Sequence, residues 1–220
     1  MEGGSSRRIG TEDAMSFLRS FLQNARKPDG VAGRVMLWGM NWGHASMAKW
    51  GREHVSPRPD AHVLDIGCGG GANLAQFLKV CPKGRVCGID FSTESVASSR
   101  RKNAEAVATG RCEVRQGNVS RLPYADGAFD LVTAFETVYF WPDVPAAFVE
   151  VRRVLGPSGA FLIVNEVSGD SRWTTVVDGM RAYTAETLTE WLRAAGFEAL
   201  RTDVRKDGAL CLVATTPAGK

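Results

Sequence analysis

A short apolar run, Val63-Leu64-Asp65-Ile66, opens into Gly67-Cys68-Gly69-Gly70-Gly71 and then into Ala72-Asn73-Leu74, where an amphipathic segment begins. No other stretch of the chain constrains its fold as much. Glycines let the backbone turn tightly and come close to a ligand with no Cβ in the way. The helix that follows offers unsatisfied N–H groups in its first turn. An α/β fold uses this strand–turn–helix arrangement to hold a nucleotide-like cofactor at the carboxyl end of a strand. The same residues also satisfy Gly-x-Gly-x-x-Ala through Gly67, Gly69 and Ala72, so the loop alone leaves the choice of cofactor open.

The surrounding pattern agrees with such a fold. Beyond Pro59, apolar runs alternate with helical periodicity, the signature of a parallel sheet. Strands are predicted at 62–66, 85–89, 113–116, 131–134 and 160–164, with helices over 72–81, 93–108 and 144–155 between them. Leu155-Gly156-Pro157-Ser158-Gly159 reads as a tight turn into the fifth strand. A helix over 184–195 stops at Gly196, and two last strands, 198–204 and 209–215, meet at the hairpin-type turn Lys206-Asp207-Gly208. The expected fold class is α/β: a Rossmann-like, seven-stranded, mostly parallel sheet with an antiparallel C-terminal hairpin strand, plus an N-terminal helical cap. Residues 1–10 are expected to be a disordered tail, 11–58 the helical cap or lid, and 59–220 the α/β domain.

Composition narrows the class of partner. The 220 residues are 44% hydrophobic and 23% charged with a net charge of +3, the profile of a soluble globular domain. That weak charge argues against a nucleic-acid partner. No apolar run reaches membrane-spanning length and the first residues show no signal-peptide pattern, so a cytoplasmic protein, monomer or homodimer, with no membrane partner is expected. Five scattered cysteines without C-x-x-C spacing read as buried thiols, and three histidines without ligand spacing give no metal site.

Further motifs follow in order. Asp90 closes Gly88-Ile89-Asp90-Phe91-Ser92, 23 positions after Gly67; then come Gln116-Gly117-Asn118-Val119, Phe129-Asp130-Leu131-Val132 and Arg153-Val154-Leu155-Gly156-Pro157-Ser158-Gly159. With the glycine loop, these make the chain from about 61 to 215 resemble the class I S-adenosylmethionine-dependent methyltransferases, in particular small-molecule enzymes of the quinone-biosynthesis type. The resemblance implies S-adenosylmethionine as cofactor, S-adenosylhomocysteine as product, no metal, and a small-molecule methyl acceptor at N, O, S or C. It assigns the cofactor to Asp65, Gly67, Cys68, Gly69, Asp90, Phe91, Asn118, Val119 and Phe135. Asp90 can accept from both ribose hydroxyls, which a dinucleotide enzyme would also require. Asp65 discriminates better, since an acid ahead of the glycines suits an amino group and would repel a pyrophosphate.

The acceptor side falls on Phe135-Glu136-Thr137-Val138-Tyr139-Phe140-Trp141 and on the Trp/Met-rich segment 31–54. Glu136, His44 and Tyr139 are the catalytic candidates: the first two as proton acceptors, and Tyr139 (with Trp141) through its aromatic face toward a sulfonium. Asn41, Trp42 and Trp141 are expected to touch the acceptor. Two other readings stay open: a catalytically silent cofactor-binding or scaffold protein, and an NAD(P)-dependent oxidoreductase.

Overall fold

The computed structural model describes residues 45–165 and 181–219. The expected tail over 1–10, most of the expected cap over 11–58 and the candidates Asn41, Trp42 and His44 lie outside the described residues. Helix α1 (Ala45–Arg52) leads into β1 (Val63–Ile66), α2 (Ala72–Val80), β2 (Val86–Asp90), α3 (Thr93–Lys102), α4 (Ala104–Ala108) and β3 (Cys112–Gln116). The chain continues through β4 (Phe129–Phe135), α5 (Val144–Val154), β5 (Leu155–Asn165), α6 (Ala185–Ala194), β6 (Glu198–Val204) and β7 (Leu210–Thr215).

The seven strands form one sheet in the order β3-β2-β1-β4-β5-β7-β6. β1 pairs in parallel with β2 and β4, and β7 enters antiparallel between β5 and β6. The expected fold class is therefore borne out. Strand order reverses at β1, so the glycine turn after β1 opens at the switch point where α/β sheets hold ligands.

Alternation along the strands sorts the core into two layers. Leu64, Ile66, Ile89, Val132, Phe161 and Ile163 face α5 and α6, where Phe148, Val151, Leu188 and Leu192 cover them. Val63, Val86, Leu131, Leu162 and Val164 face the opposite side, under Met47 of α1, Leu74 and Phe77 of α2 and Val96 of α3. Asp65 shares the parity of Val63, so its carboxylate points into the α1–α2 layer. All four residues of β1 are buried, as a central parallel strand requires.

Local chemistry explains where elements start and where the expected boundaries moved. Ser92, Asp143 and Thr184 cap α3, α5 and α6, each side chain accepting from the N–H three residues on. The single helix expected over 93–108 is divided at Asn103, whose carboxamide donates to Ser99 O and Gly71 O and so diverts the chain to hold the glycine loop. β5 is longer than expected because Leu155 already pairs with Phe129 across a bulge, which absorbs the predicted turn into the strand. Arg153, from the last motif, donates to Leu122 O at 3.1 Å and Tyr124 O at 2.8 Å, stitching the β3–β4 connection to α5.

Candidate functional site

The loop after β1 is anchored from beneath. Gly67 N and Cys68 N both donate to Ile89 O, at 2.8 and 3.1 Å, locking the turn to the end of β2. Gly67, Gly69 and Gly71 all have positive φ, which the turn requires and L side chains rarely adopt. At Gly67 (φ +72°) a Cβ would lie 2.4 Å from Thr137 Oγ1; at Gly69 (φ +51°) it would meet no protein atom within 4 Å. The two positions should therefore separate stability from ligand room. Gly67→Ala is expected to cost about 2–4 kcal/mol in urea unfolding, from strain plus overlap. Gly69→Ala should cost only about 1 kcal/mol while crowding a ligand. Equal losses in the two variants would contradict this account.

Above the loop lies a cavity of about 460 Å³, reaching from β2 across β1 to β4 and β5, with α1 forming part of its wall. Asp90, at the end of β2, supplies its buried carboxylate. Its Oδ2 accepts from Gly69 N and its Oδ1 from Ser92 N, both at 2.9 Å. Burial raises its pKa from the usual carboxylate value, opposed by these hydrogen bonds. The Ser95 side chain, which also lines the cavity, and the Phe91 backbone add to the hydrogen bonds this carboxylate receives. Phe91, 42% exposed, stands beside it at the cavity wall, its carbonyl held by Gln116 Nε2 at 3.0 Å. Asn118 and Val119 line the same end, Val119 being buried. Asn118 Oδ1 already accepts from Ser120 N at 3.0 Å, so part of its acceptor capacity shapes the turn itself.

Cys68, Gly69 and Phe135 complete the lining expected for the cofactor. Cys68 is buried, and burial, with Asp90 and Asp65 nearby, drives its thiol pKa well up, so it serves as an apolar wall. Asp65 sits differently. It is 1% exposed, lies beneath the loop outside the lining, and accepts from Thr133 Oγ1 at 2.6 Å. Burial pushes its pKa up to about 7, against the lowering effects of Thr133 and of the Arg52 charge.

Toward β4 and β5 the wall becomes apolar, with Met47, Phe135, Phe140, Trp141 and Val164. Glu136 interrupts it. This residue leaves β4 with φ +56°, an uncommon conformation for a side chain other than glycine, held by Glu136 N donating to Val164 O at 2.8 Å. Tyr139 is buried outside the lining and donates through its hydroxyl to Glu136 Oε2 at 3.1 Å. Trp141 lines the cavity, with its indole N–H on Thr137 Oγ1 at 3.2 Å and its ring stacked with Phe161 in the core. Sequence reasoning did not single out Arg52, Asn73, Gln76, Ser95 or Thr137, which also line the cavity. Periodicity carries no signal for them, because what brings them together is the packing of α1, α2 and the start of α3 around the ends of the strands. Among the described residues no group of three or more His, Cys, Asp and Glu side chains is placed to hold a metal.

Sheet order and the glycine turn at the switch point are those of a Rossmann-like α/β fold, and residues 64–163 match a protein-family model described as a methyltransferase domain. The chain is 37% identical over 142 residues to an uncharacterized 37.1 kDa protein in transposon TN4556 of Streptomyces fradiae, covering 63% of this chain and 40% of that one. It is 33% identical over 129 residues to demethylmenaquinone methyltransferase of Symbiobacterium thermophilum, covering 57% of this chain and 51% of the relative. It thus spans about half the length or less of these curated relatives. Among solved structures it superposes on a complex of the Haloferax volcanii Trm112 methyltransferase activator with a putative methyltransferase. That match has a TM-score of 0.76 at 22% identity, over 84% of this chain and 94% of that one.

Proposed function

We propose that the protein moves a methyl group from S-adenosylmethionine to a small-molecule acceptor and releases S-adenosylhomocysteine. The observation that carries this reading is the buried Asp90 carboxylate, bound to Gly69 N, at one end of a cavity whose other end is apolar and holds Glu136. These residues fit the cofactor. Open space over Gly69 admits it, Asp90 offers two acceptors to a ribose diol, and Phe91 and Val119 give a purine apolar walls. Asn118 accepts from the purine's exocyclic amine, and Asp65 sets a negative potential beneath the amino-acid end. Bound S-adenosylmethionine supplies an electrophilic methyl group on sulfur.

The protein's part is positioning. Holding nucleophile and methyl in line contributes on the order of 7–11 kcal/mol of a barrier. Glu136, oriented by the Tyr139 hydroxyl, accepts the acceptor's proton or hydrogen bond, and Trp141 and Phe140 give the acceptor an apolar, aromatic seat. Relatives that are demethylmenaquinone methyltransferases support a flat, quinone-like acceptor. The test is to incubate the protein with S-adenosylmethionine and a panel of phenols, quinols, amines and thiols, and to measure S-adenosylhomocysteine formed. Turnover on one class is expected, with Glu136→Gln lowering kcat by about 10²–10⁴-fold and leaving cofactor affinity unchanged. Cofactor binding without turnover on any acceptor would favour the silent binder instead.

A further inference from the structure

We infer that two copies of this chain join along β6, strand against antiparallel strand about a two-fold axis at Thr202, so that the sheet of one protomer continues into the next. The inference is independent of the cofactor reading and rests on the open edge of the sheet.

β6 ends the sheet order, and among the described residues no strand lies beyond it. Its regular pairing with β7 runs from Arg201↔Val213 to Val204↔Leu210. Arg205 N donates to Ala209 O at 2.8 Å, and on the other side of β7 Thr216 N donates to Gly159 O at 2.9 Å. Antiparallel ladders alternate bonded and non-bonded pairs, and both bonds set the same phase. Arg201 and Asp203 therefore turn their backbone groups toward β7, while Thr202 and Val204 turn theirs outward. The side chains divide in the same way. Arg201 donates to His54 O at 2.8 Å and Asp203 Oδ2 meets His54 Nε2 at 3.0 Å, just beyond α1. Leu200 packs against the α5–α6 layer instead, and Val204, on the same side by parity, is left 59% exposed.

An open edge presents N–H and C=O groups that a further strand can take up. Charge selects the occupant and the register. With Thr202 opposite the partner's Thr202, their outward backbone groups bond to each other. Each Arg201 then stands opposite the partner's Asp203 in a non-bonded pair, where side chains approach most closely. On the other face, Val204 is covered by the partner's Leu200. Moving the axis to Arg201 or to Asp203 would set like charges directly against each other. Moving it to Val204 would call on Arg205, which Asp207 already holds at 2.5 Å within the hairpin turn. Arg201 makes no ion pair among the described residues, and Asp203 pairs there only with His54. The opposite edge of the sheet differs, because on β3 Glu113 is already bound by Arg85 at 2.6 Å and by Arg115. The β6 edge thus fits a second copy of itself.

Sedimentation velocity of the full chain, from micromolar to millimolar concentration, tests this. A short seam makes a reversible dimer, so the sedimentation coefficient should rise with concentration. Arg201→Asp and Asp203→Arg each place like charges opposite one another on both sides of the axis, and each should weaken association by about 10-fold or more. Mixed together, the two variants regain opposite charges and should form a heterodimer that neither forms with itself. Thr202→Pro removes an outward N–H without touching the β7 ladder, so it should be monomeric and melt near the wild type. A wild type that stays monomeric throughout would overturn the inference, as would a dimer that survives Thr202→Pro. So would reversal variants that melt like the wild type yet stay apart when mixed. If the reversal variants unfold, Thr202→Pro decides alone.

Discussion

Asp90→Ala is expected to weaken S-adenosylhomocysteine binding by about 100-fold or more, the loss of two charge-assisted hydrogen bonds to a diol. The carboxylate has two duties, which the substitution removes together. It holds Gly69 N and Ser92 N, so it fixes the glycine loop and the start of α3, and it lines the cavity. Asp90→Asn separates them in part, because the amide keeps one acceptor oxygen and loses the charge. The asparagine amide can accept from only one of Gly69 N and Ser92 N, so that variant should bind with intermediate affinity and melt between the wild type and the alanine variant, which should lose the most of both. Affinity unaffected by either change would remove Asp90 from the site.

The second large effect concerns Asp65 and pH. Its pKa in the folded protein is raised to about 7 from an ordinary carboxylate value, chiefly by burial. Between those two values the folded chain holds a proton that the unfolded chain has released, so stability falls as pH rises. The penalty is absent below the unfolded pKa and complete above about pH 7. Asp65→Asn carries no such charge and should lack this slope. Urea unfolding at pH 5 and pH 8 should show the asparagine variant gaining about 3 kcal/mol on the wild type between the two conditions. Parallel pH profiles would show that Asp65 is solvated or firmly paired. A ligand ammonium above Asp65 would ionise it, so cofactor binding near neutral pH should release a proton, measurable as a buffer-dependent binding enthalpy.

Much of this molecule was legible in the sequence because its signals are local. The change from strand alternation to helical periodicity across Gly67–Gly71 placed the loop, and the turn at Lys206-Asp207-Gly208 placed the hairpin that puts β7 antiparallel in the sheet. Asp90 and Phe91 follow from their place at a strand end. What stayed hidden depends on contacts distant in sequence. Arg52 meets Asn73, 21 residues on, only because α1 lies over the sheet beside α2. Tyr139 reads as an aromatic cavity residue, yet in the short helical turn Val138–Phe140 it is buried outside the lining, with its hydroxyl on Glu136. Asp65 reads as a ligand residue by its position before the glycines, yet the pleat of β1 buries it beneath them. Asn103 looks like any helix-surface residue until the carbonyl of Gly71 comes within reach of its amide.

The central claim is that this cavity is built for S-adenosylmethionine, and calorimetric titration of the wild-type chain with S-adenosylhomocysteine tests it most directly. The account predicts saturable binding at one site per chain, undiminished by excess NAD. The same ligand at about 100 times its Kd should add about 2.7 kcal/mol of stability. No binding of S-adenosylhomocysteine, or its displacement by NAD, would contradict it.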